Sequence, residues 1–164
     1  MDKSEVKEAL VQVARLMVIS AITAPKARGV DNVVCKVVED EGTISMIADE
    51  MERLSSELSE VFLRDSKSLR NTKVLVLMGC KIAEAGMKER IESMGITEDV
   101  ALSIINLGIA LGSAVKTASM LNVDNRIMFT VGKAAKRLGL LDADIVLGIP
   151  MSVTPKNIYF DRRN

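Results

Sequence analysis

From Thr97 to about Leu121 the chain reads as a helix that is apolar nearly all the way round. Thr97 suits the N-cap, Glu98 and Asp99 suit the positive pole of the helix dipole, and after them the only charge is Lys116. Such a helix must be covered on every side, by the rest of the chain or by a second subunit. Gly108 and Gly112, four apart, let another backbone approach closely. The uncharged run 100–115 carries Ser103, Asn106 and Ser113 and is too short to span a bilayer, so no membrane partner is expected.

The remaining pattern supplies the covering elements. Val6, Ala9, Leu10, Val13, Leu16, Met17 and Ser20 fall on one helical face, and Pro25 closes that helix. Residues 30–38 (VDNVVCKVV) read as a short buried strand. Thr43 suits the N-cap of a second helix with a stripe from Ile44 to Phe62. A polar bridge, RDSKSLRNT, leads into the central strand 73–78 (KVLVLM). Residues 81–94 read as a helix, with Ala83, Met87, Ile91 and Met94 in register. After the long helix come a turn at 122–124, a helix over 127–138, a strand over 143–149 stopped by Pro150, and a tail whose Ile158, Tyr159 and Phe160 read as an edge strand. The order α-β-α-β-α-α-α-β-β describes an α+β or three-layer domain on one modest sheet, a single domain over residues 1–164.

Composition narrows the chemistry. Without histidine, Ser-His-Asp and Cys-His nucleophilic sites and imidazole-held zinc are excluded. Two cysteines, Cys35 and Cys80, cannot supply a four-cysteine zinc or iron–sulfur site from one chain. Cys35 reads as an inert core thiol; Cys80, at a strand end beside Lys81, is better placed for reactivity, though a structural role suits it too. The 22 basic residues balance 22 acidic ones, so no nucleic-acid partner is expected. The polar, acidic start MDKSEVKEAL is not a signal peptide, and a reduced, cytoplasmic protein is the expectation.

Three polar stretches are candidates for binding. Residues 23–32 offer Lys26, Arg28, amides beside Gly29, and Asn32 to a phosphate or carboxylate, or form a solvated connection. Residues 122–126 place Arg126 before a helix, where a bound anion would offset its clash with the dipole, while Asp124 reads as a plain cap. Residues 154–157 bring Lys156 beside the apolar tail. Lys116 either snorkels to solvent or faces a polar cavity and meets an anion. No carboxylate stands out as a general acid or base.

Four blocks carry a resemblance: TAPKARGVDNVV (23–34), RDSKSLRNTKVLVLMG (64–79), residues 107–150, and KNIYFDR (156–162). In them the chain resembles a prokaryotic family of uncharacterised proteins containing a ferredoxin domain. Members of that family carry a CGxCG-type stretch after the second strand and another cysteine before the LGIALG segment. Here only Cys80 stands near the first, and Val100 occupies the second, so the resemblance implies a member without the iron–sulfur cluster. The loop entering the first strand, the buried helix and the GIP strand end are more distantly similar to FMN-dependent nitroreductases. That similarity implies a nitroreductase-like three-layer α+β domain with a small mixed sheet and a long buried helix. It also implies two chains with FMN at their interface, and the apolar surface of the long helix, larger than one small sheet could cover, points to a homodimer through the Gly108/Gly112 helix and the C-terminal tail. Carried over, Lys26, Arg28 and Asn32 lie near the flavin, with Arg126 or Lys156 at its phosphate; Lys116, the one charge within the long helix, joins them as a candidate contact. The Arg-Arg-Ser-type phosphate motif of those enzymes is missing from the first helix, which has only Arg15. Two alternatives stand beside it: a cluster-free relic that works as a non-catalytic homodimeric binding or assembly subunit, for instance for a redox partner, and an enzyme binding another phosphorylated small molecule at the same loops.

Overall fold

The computed structural model describes residues 1–160. Helix α1 (Lys3–Thr23) starts in a capping box made by Asp2 and Glu5 and leads through a 3₁₀ turn at Ala27–Gly29 into β1 (Val33–Val38). Helices α2 (Glu41–Glu57) and α3 (Val61–Arg70) come next, then β2 (Val74–Cys80). A two-residue hairpin, β3 (Arg90–Ile91) with β4 (Ile96–Thr97), precedes α4 (Glu98–Met120). The chain continues through β5 (Asp124–Asn125), α5 (Phe129–Arg137) and β6 (Ile145–Ser152).

The sheet has the order β1-β2-β6-β5. Alternation along β2 makes the layers: Val74, Val76, Met78 and Cys80 face α1 and α4, while Leu75 and Leu77 face α2, α3 and α5. The result is the expected three-layer α+β domain, but the sheet is antiparallel in every described pair rather than mixed. Strand β6 runs past Pro150, which pairs with Leu75. Gly148 exchanges both its bonds with Met128, so Pro150, two residues on, turns its missing N–H toward the same side, where the short β5 asks nothing of it. Across this strand α5 lies close: a Cβ on Gly132 would sit 1.9 Å from the Val146 carbonyl oxygen.

Several expectations are corrected. Asp40, not Thr43, caps α2, accepting the Thr43 N–H at 2.7 Å. The helix ends at Glu57, and residues of the polar bridge form α3, whose buried face holds Asp65 and Ser66 as well as Phe62 and Leu69, which hides its periodicity. Asp65 is satisfied by Arg64 at 2.8 Å and by the Thr130 hydroxyl at 2.8 Å, tying α3 to α5. No helix forms over 81–94; Gly86 within it and Gly95 just after it take positive φ, and backbone donors at its start go to side chains instead. The turn at 122–124 runs into β5, the shortest edge of the sheet. Residues 158–160 form no strand, and residues 161–164 of the expected edge lie outside the described chain.

Helix α4 is half buried rather than wholly so. Ser103, Asn106, Leu107, Ala110, Leu111, Ala114 and Ala118 face the core, while Ile104, Ile105, Gly108, Ile109, Gly112, Lys116 and Met120 face outward. On α1 the buried arc is Leu10, Val11, Ala14, Met17 and Ala21, so Leu16 lies outward with Ile19 and Ile22 instead of inward. In the second half of α1 both arcs are apolar, and periodicity does not say which one packs. By length and composition alone α4 could cross a membrane, which the shorter uncharged run does not suggest; its inner arc is a wall of the core.

Tyr159 locks the tail to the domain. It is 3% exposed within the α2–α3–α5 core, and its hydroxyl lies 3.1 Å from that of Thr72. Tyr159→Phe should cost about 1 kcal/mol. Tyr159→Ala should cost about 3–5 kcal/mol through the cavity it opens. Urea unfolding measures both, and an unchanged midpoint for the alanine variant would mean the tail is not part of the core.

Candidate functional site

Helix α1 has no basic residue in its last turn, and Pro25 ends it. Lys26 takes over that end. Its side chain, 5% exposed, folds back so that Nζ donates to the carbonyl oxygens of Ala21 at 3.0 Å, Ile22 at 2.7 Å and Ala24 at 2.9 Å. All three ammonium protons are used on the negative pole of α1, with Asp31 at 3.9 Å. Lys26 thus shapes the loop and holds no donor toward a ligand in this conformation.

Arg28 is placed differently. Residues 27–30 make a tight turn closed by Val30 N–H to the Ala27 carbonyl at 3.1 Å, with Arg28 at φ 53 and Gly29 at φ 71. Both central residues are left-handed, positions that Gly, Asn and Asp fill at little cost and where arginine is strained by about 1–2 kcal/mol. Its Nη1 donates to the Ala85 carbonyl at 2.7 Å, and the guanidinium lies so close to Gly86 that a Cβ there would sit 3.0 Å from it. No ion pair of Arg28 occurs among the described residues, so a fixed guanidinium keeps most of its five donors for another group.

Asn32 is 5% exposed and works inside the fold. Its Nδ2 donates to the Lys81 carbonyl at 2.8 Å, and its Oδ1 accepts from Asn106 Nδ2 at 2.9 Å. Asn106 Oδ1 in turn accepts the Ala27 N–H at 2.8 Å. The loop 81–87 is held in the same manner: Ile82 N–H on Asp144 at 2.7 Å, Ala83 N–H on Ser103 at 3.1 Å, and the N–H groups of Ala85 and Met87 on Asp99, each at 3.0 Å. Sequence reasoning does not place Asp99, Ser103 and Asn106 at the site. Their spacing of four and three along an apolar helix is the available signal, a polar line on a buried face.

Arg126 and Lys156 lie at the far end of α4. Arg126 Nη1 donates to the Tyr159 carbonyl at 2.9 Å, and its guanidinium stands 5.2 Å from the Phe160 ring centroid. Beside it Ser119, Asn122, Asp124, Asn125, Asn157 and Phe160 line an open groove of about 400 Å³. Lys156 is exposed, and its carbonyl accepts from the Thr154 hydroxyl at 2.6 Å. Lys116 is exposed between the two ends, on the outward arc of α4. The fold therefore gathers Lys26, Arg28 and Asn32 at one end and Arg126 and Lys156 at the other. From Asn106 to Met120 is about 21 Å of helix.

Both cysteines face the α1–α4 layer. Burial pushes the Cys35 thiol up to about 11, Lys26 pulling it down and Asp31 pushing it further up. Burial, and then Asp144, raises Cys80, which is fully buried. Neither is a thiolate at neutral pH, which leaves both as core thiols. Iodoacetamide at pH 8 should leave both unmodified in the native protein and label both after unfolding, read by intact mass. Rapid native labelling of Cys80 would contradict this placement.

Comparison with solved structures shows the same fold in flavoproteins. A BluB-like flavoprotein from Clostridium difficile 630 superposes with a TM-score of 0.65 at 16% identity, over 93% of this chain and 84% of that one. A nitroreductase with bound FMN from Desulfitobacterium hafniense DCB-2 gives 0.65 at 14% identity, over 88% and 78%. The hypothetical oxidoreductase YcnD from Bacillus subtilis gives 0.61 at 15%, but the chain spans only 58% of its length. At these identities the likeness shows a nitroreductase-like fold. An uncharacterized protein of Archaeoglobus fulgidus is 36% identical, over 99% of this chain and 97% of its own. Residues 99–162, from the start of α4 onward, match the family model described as "uncharacterized protein containing a ferredoxin domain". With a relative this similar along almost its whole length, and that model on its C-terminal part, the chain belongs to this family of ferredoxin-domain-containing proteins.

Proposed function

We propose that the protein is a cytoplasmic, flavin-binding redox protein in which two copies of the chain hold FMN between them, without an iron–sulfur cluster. What carries this proposal is the outward face of α1 and α4. Leu16, Ile19, Ile22, Ile104, Ile105, Ile109 and Met120 form an uncovered apolar surface, with the Arg28 guanidinium at one end and the Arg126 guanidinium at the other. Apolar surface of this extent on a small domain marks an interaction site.

The geometry favours a two-fold pairing of this face. Gly112 lies at the centre of the outward arc of α4, and neither Gly108 nor Gly112 has a neighbour within 4 Å of where a Cβ would stand. Two α4 helices crossing antiparallel near Gly112 would approach backbone to backbone. Asn106 of one copy would then stand level with Ala118 of the other, because these two positions lie equally far on either side of Gly112. This pairing would bring Arg28 of one protomer toward Arg126 and Lys156 of its partner. In a single chain they lie apart.

The donor set suits FMN. Isoalloxazine has an apolar edge for the isoleucines to cover and a polar edge for a guanidinium, and the phosphate suits a second basic group. Bound there, FMN would supply the hydride and electron chemistry that no side chain in this protein offers. Arg28 would orient the ring and place positive charge beside its polar edge. Arg126 and Lys156 would bind the phosphate, Lys116 would lie along the interface, and the aliphatic side chains would exclude water. Lys26 and Asn32 would act by fixing the loop that carries Arg28. Each chain has only Cys35 and Cys80, and both are packed into its own α1–α4 core, so the two copies would not present four thiolates to one cluster.

Titration of the purified protein with FMN, monitored by quenching of flavin fluorescence, tests this. Arg28→Ala should weaken binding about ten- to a hundredfold, the worth of a charge-assisted hydrogen bond. A dimer that ignores FMN would overturn the flavin proposal and leave the non-catalytic assembly subunit in its place.

A further inference from the structure

The strained turn carrying Arg28 is held by one side chain that plays no part in covering the core. Asn106 is 3% exposed, set among Leu, Ile, Ala and Gly on α4, and its amide is used at both atoms. Oδ1 accepts the Ala27 N–H at 2.8 Å, and Nδ2 donates to Asn32 Oδ1 at 2.9 Å. Asn32 passes the line on to the Lys81 carbonyl at 2.8 Å, while Lys81 N–H returns to the Asn32 carbonyl at 2.9 Å. One continuous string of amides thus joins the loop after α1, the middle of α4 and the exit of β2. Only a side chain with an acceptor and a donor on one planar group completes it: Asp lacks the donor, and Leu lacks both.

The string ends on Ala27, directly before the strained residues. Arg28 keeps φ 53, which its side chain disfavours, and Gly29 comes next at φ 71. Backbone strain of this kind persists only where the surroundings over-determine it. Here the Ala27 N–H is clamped from one side by Asn106, and the Arg28 guanidinium is anchored from the other by the Ala85 carbonyl beside Gly86. Released from α4, the turn would relax and the guanidinium would lose its fixed direction.

We infer that Asn106 is a positioning residue: its buried amide locks the left-handed turn at Ala27–Gly29 against α4 so that Arg28 presents its guanidinium to the ligand. The inference rests on the flavin proposal for the ligand's identity, but the locking of the turn does not. Asn106 touches no ligand and acts through Arg28.

A double-mutant cycle separates this role from a merely structural one. FMN affinity is measured for the full-length wild type, Asn106→Ala, Arg28→Ala and the double variant, with thermal melts confirming folding. Asn106→Ala should weaken FMN by about tenfold in the wild-type background and by less than about twofold once Arg28 is gone, because residues acting through one contact are non-additive. An equal loss in both backgrounds, or none in either, would overturn the inference. Gly29→Ala is a second variant that touches neither asparagine. A Cβ there meets nothing within 4 Å, so it disturbs only the backbone, and it should show the same dependence on Arg28. Trypsin provides an arm free of flavin. The Arg28–Gly29 bond should resist cleavage in the wild type and open in Asn106→Ala and Gly29→Ala, mapped by mass. If the wild type ignores FMN, the flavin proposal falls by itself, and cleavage decides: faster cutting in both variants supports the lock, and unchanged cutting refutes it.

Discussion

Helix α4 has two apolar arcs, and the four-stranded sheet lies against one of them. The inner arc is met by α1 and by the side chains of β2 and β6 that alternate toward it. The outer arc, with Ile104, Ile105, Ile109 and two glycines, is left exposed among the described residues. A second α-helical layer on the opposite face of the sheet gives no help, because α2, α3 and α5 are fully engaged with Leu75, Leu77 and one another. The uncovered arc is a consequence of the three-layer architecture, and the two-fold arrangement of the candidate site is a consequence of the uncovered arc.

The polar groups that serve the site depend on the same helix. Asp99, Ser103 and Asn106 lie along its inner face and take up backbone donors from the loop after β2 and the loop after α1. Buried polar groups of this kind are tolerable only when every one is paired, and each of these is. Two loops that would otherwise wander are thereby fixed side by side, with Arg28 donating across the gap between them to Ala85. At the opposite end Tyr159 performs the corresponding service, anchoring the tail that carries the carbonyl to which Arg126 donates.

Much of this is legible in the residues. The cap at Thr97, the central strand (read over 73–78 and running on through Gly79 to Cys80) and the three-layer class emerge from patterning, because long, strongly periodic segments advertise themselves. The family is recognisable in long blocks such as residues 107–150. The features that escape patterning are set by tertiary contacts. Helix α3 hides behind Asp65 and Ser66, whose burial makes sense only once Thr130 is opposite. The segment 81–94 has helical periodicity, yet amides at its start find better partners in Asp144, Ser103 and Asp99 than in their own carbonyls. Lys26 and Arg28 look alike in sequence; only the structure shows one spent on the end of α1 and the other held with donors to spare. Asn106 reads in sequence only as a polar interruption, since its partner Ala27 is 79 residues away.

Subunit complementation tests the central claim, that the site is completed across two copies of the chain. Arg28→Ala and Arg126→Ala chains, each deficient in FMN binding, are mixed under conditions that exchange subunits. A mixed dimer of this kind carries one site with both arginines and one with neither, so random exchange should restore about a quarter of all sites. Recovery of that order is the expected result. Mixtures that bind no more FMN than their components would contradict it and return the two arginines to separate duties within a single chain.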